Sequence, residues 1–461
     1  MVFPNLDHCG PSSDSVKLVV IYSVCFTKEQ GFLAAYSLFY AIGGNRADGL
    51  PDGGSTVAYG HRQRRFGVGL PPSIREEGEE KVGKGKKREG GFVSVMEAIF
   101  NKAKWFGIPT YGGNLAVFWT IVMLATLSII EVAAVWKLAR LLTKSAGRNV
   151  SATLSGSIFY GNALLSLMIS WKFVKSWKSS TSYWIRIESR ASFLLPNSSI
   201  RRKVNFVSLF VAISATVEHI LSMISATGAD CPPEDYFERY ILTSHGFLIH
   251  DYEYSLWLAI PIFIMSKSAT ILWNFQDLII ILMSMGLSSR YHRLNNFVKE
   301  VVESENEVLA VKKLATGFHL RVDVWRRIRQ AFVQQSALVR KVDTELGALI
   351  LLSNLNNLYF ICLQLFLGIR SIEGTLINRI YYFYSLGWLL LRASSVVLAA
   401  AEINLHSQKA LPFLSSFPTY AYNIEIKRLI SQLNNDQISL NGMGFFALKR
   451  QKLLEVCSFL L

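Results

Sequence analysis

Several polar side chains interrupt stretches of sequence that are otherwise apolar, and these residues are the ones most able to bind a ligand. Glu218 and His219 lie in the middle of one such stretch, and Asn354, Asn357 and Tyr359 lie in another. A charged side chain near the centre of a bilayer costs about 2.5–3.5 kcal/mol on insertion scales, so Glu218 should face the interior of a helix bundle or water. There its carboxylate would accept hydrogen bonds, either from a hydroxyl-bearing ligand or from a neighbouring helix.

Aromatic side chains stand near the outer halves of the same apolar stretches. Ligand sites combine apolar and aromatic walls with a few polar anchors, whereas amides within a span commonly join helices and aromatic residues often form interfacial belts. Both interpretations stay open for each of these residues. The candidate ligand-binding residues are Glu218, His219, Trp257, Asn354, Asn357, Tyr359, Tyr382 and Trp388.

Three further charges, Lys267, Asp277 and Arg392, lie deeper in their apolar stretches or towards the cytoplasmic side. Because an unpaired charge away from water is costly, we interpret these residues as structural. We predict that Asp277 pairs with Arg392 between two helices.

The arrangement of potentially catalytic residues does not favour an enzyme. The sequence has no zinc-spaced His/Cys cluster, phosphate-binding loop, nucleophile elbow or aspartyl dyad. Glu218 and His219 are adjacent rather than four residues apart, so they do not share one face of a helix. We therefore expect no catalytic site, no metal and no cofactor.

The composition indicates a membrane protein with several helices. Of the 461 residues, 51% are hydrophobic and only 18% are charged, whereas soluble domains have about a quarter of their residues charged. The net charge of +15 arises largely from basic residues between the apolar stretches and in the N-terminal part. That distribution is typical of cytoplasmic loops, so we expect an all-α polytopic membrane protein with no nucleic-acid partner.

Six apolar stretches are long enough to cross a bilayer as helices. Residues 1–91 are instead rich in glycine and charge, so we predict a disordered cytosolic tail there and a transmembrane domain over 92–461. The fourth stretch is too long for one hydrocarbon layer of about 30 Å and should project beyond the membrane. The predicted spans are 114–136, 149–171, 204–229, 254–289, 346–369 and 380–401, with a partial seventh span at 440–461.

The basic residues between the spans predict the orientation of the chain. The connections after the second and fourth spans are rich in Lys and Arg, whereas 230–253 holds only Arg239 against six acidic residues. Because basic loops stay on the cytoplasmic side, the N-terminus should be inside. The first connection, predicted outside, carries Lys137 and Arg140 against this rule, and we expect these cations to snorkel at a helix end.

Four segments in the last part of the sequence carry a resemblance to a known family. They are FQDL at 275–278 with RYHRLN at 290–295, LLSNLNNLYFICLQL at 351–365, RASSVV at 392–397 and LNGMGFFALKR at 440–450. These segments resemble helices four to seven of the insect gustatory receptors, in particular the sugar-taste branch. Weaker similarity reaches back to about residue 92.

The resemblance implies a seven-helix insect chemoreceptor fold with its N-terminus inside, in the plasma membrane. It further implies a ligand-gated, non-selective cation channel that detects sugars. The sugar would bind among helices one to six and the seventh helix would line the pore. Cytoplasmic helix extensions would hold a homo- or hetero-tetramer with other gustatory receptor subunits, surrounded by membrane lipid.

A secondary solute transporter is the alternative function. Transporters of that kind show internal repeats and helices broken by Gly or Pro. This sequence shows neither feature, apart from the single Pro261 in the fourth apolar stretch.

The C-terminal segment departs from the family pattern. The family's pore-lining motif, Thr-Tyr followed by five apolar residues and Gln-Phe, does not occur before the last residue, Leu461. We therefore expect this polypeptide to lack the pore-lining half of the seventh helix, as a truncated, non-conducting receptor would. Expressed alone, such a chain gives no sugar-evoked current.

We expect the N-terminus to be cytoplasmic and the 230–253 connection to be extracellular, because basic connections are retained inside. Epitope tags after Val2 and within 230–253 would be labelled with antibody on intact cells, where only the second tag should be reached. Permeabilised cells are the control, since both tags should then be labelled equally. Labelling at residue 2 on intact cells would contradict the topology.

Overall fold

The computed structural model describes residues 91–108, 113–143, 150–191, 193–194, 199–228, 230–249, 251–311, 322–371, 375–417 and 422–451. Two predicted features lie outside the described residues. They are the proposed tail before Gly91 and the end of the chain after Gln451, which bears on the prediction of an incomplete seventh helix. The division into a tail and a transmembrane domain therefore stays a prediction.

The described part of the chain is built from α-helices, in agreement with the predicted all-α class. Six of them, α2, α3, α4, α6, α7 and α8, are long and apolar enough to cross a membrane, which confirms the six apolar stretches as helices. The helices are α1 (Gly91–Ala103), α2 (Asn114–Thr143), α3 (Val150–Arg190), α4 (Ile200–Thr227), α5 (Tyr236–His245), α6 (Leu256–Val311), α7 (Val322–Ser371), α8 (Leu376–Gln408), α9 (Leu411–Ser415) and α10 (Ile424–Asn435).

Three of these helices are much longer than a bilayer is thick. Helix α6 has 56 residues, about 84 Å at 1.5 Å per residue, and so confirms the projecting fourth stretch. The helices that contain the second and fifth predicted spans are also longer than those apolar stretches, because α3 continues to Arg190 and α7 already begins at Val322. Hydropathy detects only the segment inside lipid, whereas the backbone hydrogen bonds of a helix are satisfied equally well in water.

Exposed tryptophans lie near both ends of the apolar part of the bundle. Trp119 donates from Nε1 to the carbonyl of Trp105 at 3.1 Å, and both indoles are exposed. Trp136 and Trp257 are exposed near the opposite end of the bundle. The 17 residues from Trp119 to Trp136 span about 26 Å, close to the thickness of a hydrocarbon core. These four residues are placed like an interfacial aromatic belt.

Lys137, which lies near the end of α2, is held by the acidic connection beside it. Lys137 donates to the carbonyl of Leu248 at 2.5 Å and to Glu253 at 3.4 Å, while the Arg140 guanidinium lies 5.0 Å from the centre of the Trp136 ring. The charge of Lys137 is thus balanced by a protein partner on the same side of the bundle. Lys137 on the predicted outer side is therefore compatible with a cytoplasmic N-terminus.

A buried ion pair joins the central helices, as predicted. Arg392 Nε lies 2.7 Å from Asp277 Oδ2, with side chains 3% and 0% exposed. Ser353 donates to the other carboxylate oxygen of Asp277, and Arg392 Nη1 donates to Asn274 Oδ1 at 2.6 Å. Helices α6, α7 and α8 therefore share one charge network in which both ions have several partners.

The segment Leu440–Lys449 differs from its prediction as the start of a seventh span. It forms a reverse turn in which Asn441 pairs with Ala447, and Asn441 donates from its backbone N–H to Asp343 at 2.5 Å. Gly444 has a φ of +83°, which a residue with a side chain rarely adopts. The turn forms because two glycines and a carboxylate on α7 favour it over a helix.

Helix returns only at Arg450, which donates to Glu402 on α8. On the same side of the bundle, Arg329 of α7 donates to Glu425 of α10 at 2.6 Å. The Arg329 guanidinium holds the pKa of the Glu425 carboxyl below its usual range. These contacts join the ends of α7 and α8 to the C-terminal segment.

Replacing Arg392 by methionine should destabilise the protein strongly, because the Asp277 carboxylate is left buried and unpaired. One-sided removal of a buried ion pair costs about 3–5 kcal/mol, which we expect as a lower thermal unfolding midpoint of the purified protein in detergent. The matched control is Arg326→Met, since Arg326 is 51% exposed and its ion pair among the described residues is with Asp323, one turn away on the same helix. A double change of Arg392→Met with Asp277→Leu should recover much of the loss, and an unchanged midpoint in the single variant would contradict the role of the network.

Candidate ligand-binding site

Two of the sequence-predicted residues come together between α4, α7 and α8. Ser385 donates from Oγ to Glu218 Oε1 at 2.7 Å, and Gln364 donates from Nε2 to Ser385 Oγ at 2.9 Å. The Tyr382 hydroxyl donates to the backbone carbonyl of Gln364 at 3.3 Å. Glu218 is half-buried, so its carboxylate joins an interhelical chain of hydrogen bonds and still borders accessible space.

The amides of α7 have protein partners. Asn357 accepts a hydrogen bond from Trp273 Nε1 at 3.1 Å and donates to Asp277 Oδ2 at 3.2 Å. Asn354 donates to the carbonyl of Ile350, one turn back on its own helix, at 2.8 Å. The structure therefore places Asn357 in the charge network of the bundle core and gives Asn354 a local contact.

The remaining aromatic candidates do not meet in one place. Trp257 is 91% exposed at the beginning of α6, and Tyr359 is half-buried with its ring edge-on to Phe360. Trp388 is buried, and its ring packs edge-on against Phe210. These three residues line separate parts of the bundle.

A second polar cluster lies between α3, α5 and α6, where α5 turns its Tyr240–His245 face into the bundle. Both residues are buried. Lys267 of α6 donates from Nζ to the Tyr240 hydroxyl at 2.6 Å, and its ammonium lies 4.4 Å from the centre of the same ring. The Tyr160 ring of α3 lies 6.3 Å from His245. We call these four residues the outer polar cluster.

His245 is the unusual member of the outer polar cluster. Its side chain is 5% exposed, yet neither ring nitrogen hydrogen-bonds to any residue that the structure describes. Buried polar groups nearly always have a partner, and an unsatisfied one costs about 1–3 kcal/mol. Phe247 and Tyr240 lie 6.2 Å from the imidazole, ring centre to ring centre. The arrangement suits an uncharged ligand that offers hydroxyl groups between aromatic faces.

His219 is half-buried on α4, which packs against both α5 and α6. The helix that carries His219 and Glu218 therefore adjoins two of the helices that form the outer polar cluster. Across the ranges that the structure describes, no three His, Cys, Asp or Glu side chains come together as ligands for a metal.

The sequence did not single out Tyr160, Tyr240 or His245 as candidate ligand-binding residues. It predicts an extracellular connection over residues 230–253, which hold Tyr240 and His245, and no buried side chain is expected there. A signal was present, because the buried residues of α5 are Tyr240, Ile241, Ser244 and His245, at the spacing of one helix face. An amphipathic face in a connection between spans indicates that the connection packs inward.

The family model for the trehalose receptor matches residues 113–461. Among curated proteins of Drosophila melanogaster, the chain is 28% identical to gustatory receptor for sugar taste 64a, over 65% of each chain. It is 29% identical to gustatory receptor 5a for trehalose, over 62% of this chain and 63% of the relative. The chain thus spans about two thirds of the length of the curated relatives that it matches.

The fold resembles the insect olfactory receptor OR5 from Machilis hrabei, with a TM-score of 0.60 and 10% sequence identity. The likeness covers 79% of this chain and 95% of the receptor, and it places the six long helices in a seven-helix receptor architecture. The family match extends over most of the sequence and includes all six long helices. The chain therefore belongs to the trehalose receptor family, whose members are multi-pass receptors of the plasma membrane and not enzymes.

Proposed function

We propose that this receptor is a subunit of a sugar-gated, non-selective cation channel, and that the sugar binds at the outer polar cluster. The observation that carries the proposal is the buried imidazole of His245, which has no protein partner among the described residues. The names of the related receptors, which specify sugar taste and trehalose, support the same class of ligand. Family membership favours this function over the transporter alternative.

The chemistry of the outer polar cluster suits a sugar. A neutral imidazole has one donor and one acceptor nitrogen, so His245 can bind two hydroxyl groups. The rings of Tyr160, Tyr240 and Phe247 surround it and offer apolar faces to the C–H surface of a pyranose. Lys267 is engaged by Tyr240, so the ammonium orients the phenol and does not require an anionic ligand.

The same helices offer a route from the ligand to the pore. Glu218 of α4 accepts a hydrogen bond from Ser385 of α8. At the far end of α8, Glu402 accepts a hydrogen bond from Arg450, where the next helix begins. We propose that a sugar-induced shift of α4 and α5 moves α8 and thereby the seventh helix. Four subunits, identical or mixed with other gustatory receptor subunits, would surround the pore within membrane lipid.

Replacing His245 by phenylalanine should weaken sugar binding by tenfold or more without lowering stability. Phenylalanine keeps the ring but loses both hydrogen bonds to the ligand, and about 1.4 kcal/mol corresponds to a factor of ten in affinity. Binding of trehalose and of sucrose to the purified chain would be measured by titration calorimetry, because binding does not require an assembled pore. The thermal unfolding midpoint would be recorded in parallel.

The matched control for this variant is His292→Phe, because His292 is exposed on the cytoplasmic extension of α6. This control substitution should leave the sugar affinity unchanged. Equal sugar affinity in the His245 variant and the unaltered chain would overturn the site. An unaltered chain that binds no sugar in the panel would overturn the proposed ligand class.

The Glu218→Gln variant should lower sugar potency about tenfold while surface expression is kept. Glutamine preserves an acceptor for Ser385, but a hydrogen bond to a charged acceptor is stronger than one to a neutral acceptor. We expect the hydrogen bond between residue 218 and Ser385 to weaken by about 1–2 kcal/mol, which corresponds to about a tenfold loss of potency. Dose–response curves of sugar-evoked cation current would be compared in cells where the chain forms part of a conducting channel. Glu234→Gln, at an exposed position before α5, is the control, and an unchanged curve for Glu218→Gln would make Glu218 purely structural.

A further inference from the structure

A recess lies in the cytoplasmic part of the bundle, far from the outer polar cluster. Helices α3, α6 and α7 border this recess, whose volume of about 330 Å³ includes space that is open to solvent. Glu188, Arg290, Arg293 and Gln335 form its polar lining, and the other lining side chains are apolar. Glu188 lies 17 residues beyond Trp171 on α3, about 26 Å along the helix, so the recess is well removed from the lipid headgroups.

Arg290 is the central residue of this recess and is only 8% exposed. Its Nε donates to Gln335 Oε1 at 2.7 Å, and its guanidinium lies 5.4 Å from the centre of the Trp184 ring. Its Nη1 lies 4.0 Å from Glu188 Oε2 and makes no hydrogen bond to the residues that the structure describes. A buried charged donor thus borders the recess, beyond hydrogen-bonding distance of Glu188 and with no acceptor among the described residues.

Arg293 adds a second guanidinium to the same recess. It donates from Nη1 to Glu188 Oε1 at 3.3 Å and from Nη2 to the carbonyl of Leu194 at 3.2 Å. Its Nε is buried and makes no hydrogen bond within the described residues. Two guanidinium groups therefore share one carboxylate, and the polar lining carries a net charge of +1.

This surplus of buried donors and positive charge is unfavourable unless an acceptor satisfies it. A buried charged group without its hydrogen bonds costs several kcal/mol, and an anion accepts stronger hydrogen bonds from guanidinium groups than a neutral molecule does. The enclosed part of the recess has room for a body about the size of one water molecule. That size and the net charge of +1 exclude a phosphate dianion and suit a monoatomic, monovalent anion.

We propose that this recess binds a chloride ion between Arg290 Nη1 and Arg293 Nε. The ion neutralises the surplus charge and joins the cytoplasmic extensions of α3, α6 and α7. Gln335 supports the site, because it accepts from Arg290 and donates to the carbonyl of Leu287 at 3.3 Å. The site is independent of the sugar and of the pore.

The test is the salt dependence of thermal unfolding of the purified full chain in detergent. Sodium chloride would be replaced by sodium bromide or sodium gluconate at equal ionic strength. We expect gluconate, which is too large for the recess, to lower the unfolding midpoint by about 3 °C, and bromide to preserve it. Broadening of the chloride NMR line by the protein measures binding directly and should be reversed by bromide.

Two variants distinguish the ion from a general effect of salt. Arg290→Gln removes the central guanidinium, and Gln335→Glu keeps an acceptor for Arg290 Nε while neutralising the recess, so both should lose the dependence on chloride. The control Arg340→Gln should keep the dependence on chloride, because Arg340 of α7 is 63% exposed and pairs with Asp436, which follows α10.

Equal midpoints of the unaltered chain in chloride and gluconate would overturn the proposal and indicate a hydrated recess. Retention of the chloride dependence in Gln335→Glu would also overturn it. That variant decides the question if Arg290→Gln does not fold.

Discussion

The absence of water from the bilayer interior is the constraint on which this structure depends, because a polar group inside a span must find its partner within the protein. Asp277 shows the consequence most clearly. Its carboxylate pairs with Arg392 of α8 and receives hydrogen bonds from Ser353 and Asn357 of α7. Each of these groups would be costly alone, so their joint satisfaction fixes α6, α7 and α8 relative to one another.

Beyond the membrane the same helices enter water, and the contacts that hold them change in kind. Charged residues carry little penalty there, so ion pairs such as Arg340–Asp436, which joins α7 to the end of α10, form close to the surface. Where the extensions pack tightly against each other, buried polar groups again need partners within the protein. Arg290 is as buried as a core residue, and its guanidinium has Glu188 at 4.0 Å and Gln335 as neighbours. The proposed chloride would supply the acceptor that its Nη1 lacks among the described residues.

The proposed sugar site is an exception to the rule of internal pairing. Around His245, Lys267 and Tyr240 satisfy each other, whereas the imidazole has no partner in the part of the chain that the structure describes. A receptor requires polar groups that are held rigidly and stay available for a ligand. In a member of the trehalose receptor family, an unsatisfied imidazole between aromatic rings meets that requirement.

The sequence by itself determined the helical class, the six apolar spans, the expected orientation and the family, because each depends on contiguous stretches or local motifs. The Asp277–Arg392 pair was also predictable, since two opposite charges in apolar spans need each other. Only the tertiary structure decided which polar residues share a site. It separated Trp257 from Glu218, and it brought His245 beside Tyr160 by folding α5 into the bundle. Such neighbours lie far apart along the chain, so their meeting depends on how helices pack and not on any local pattern of residues.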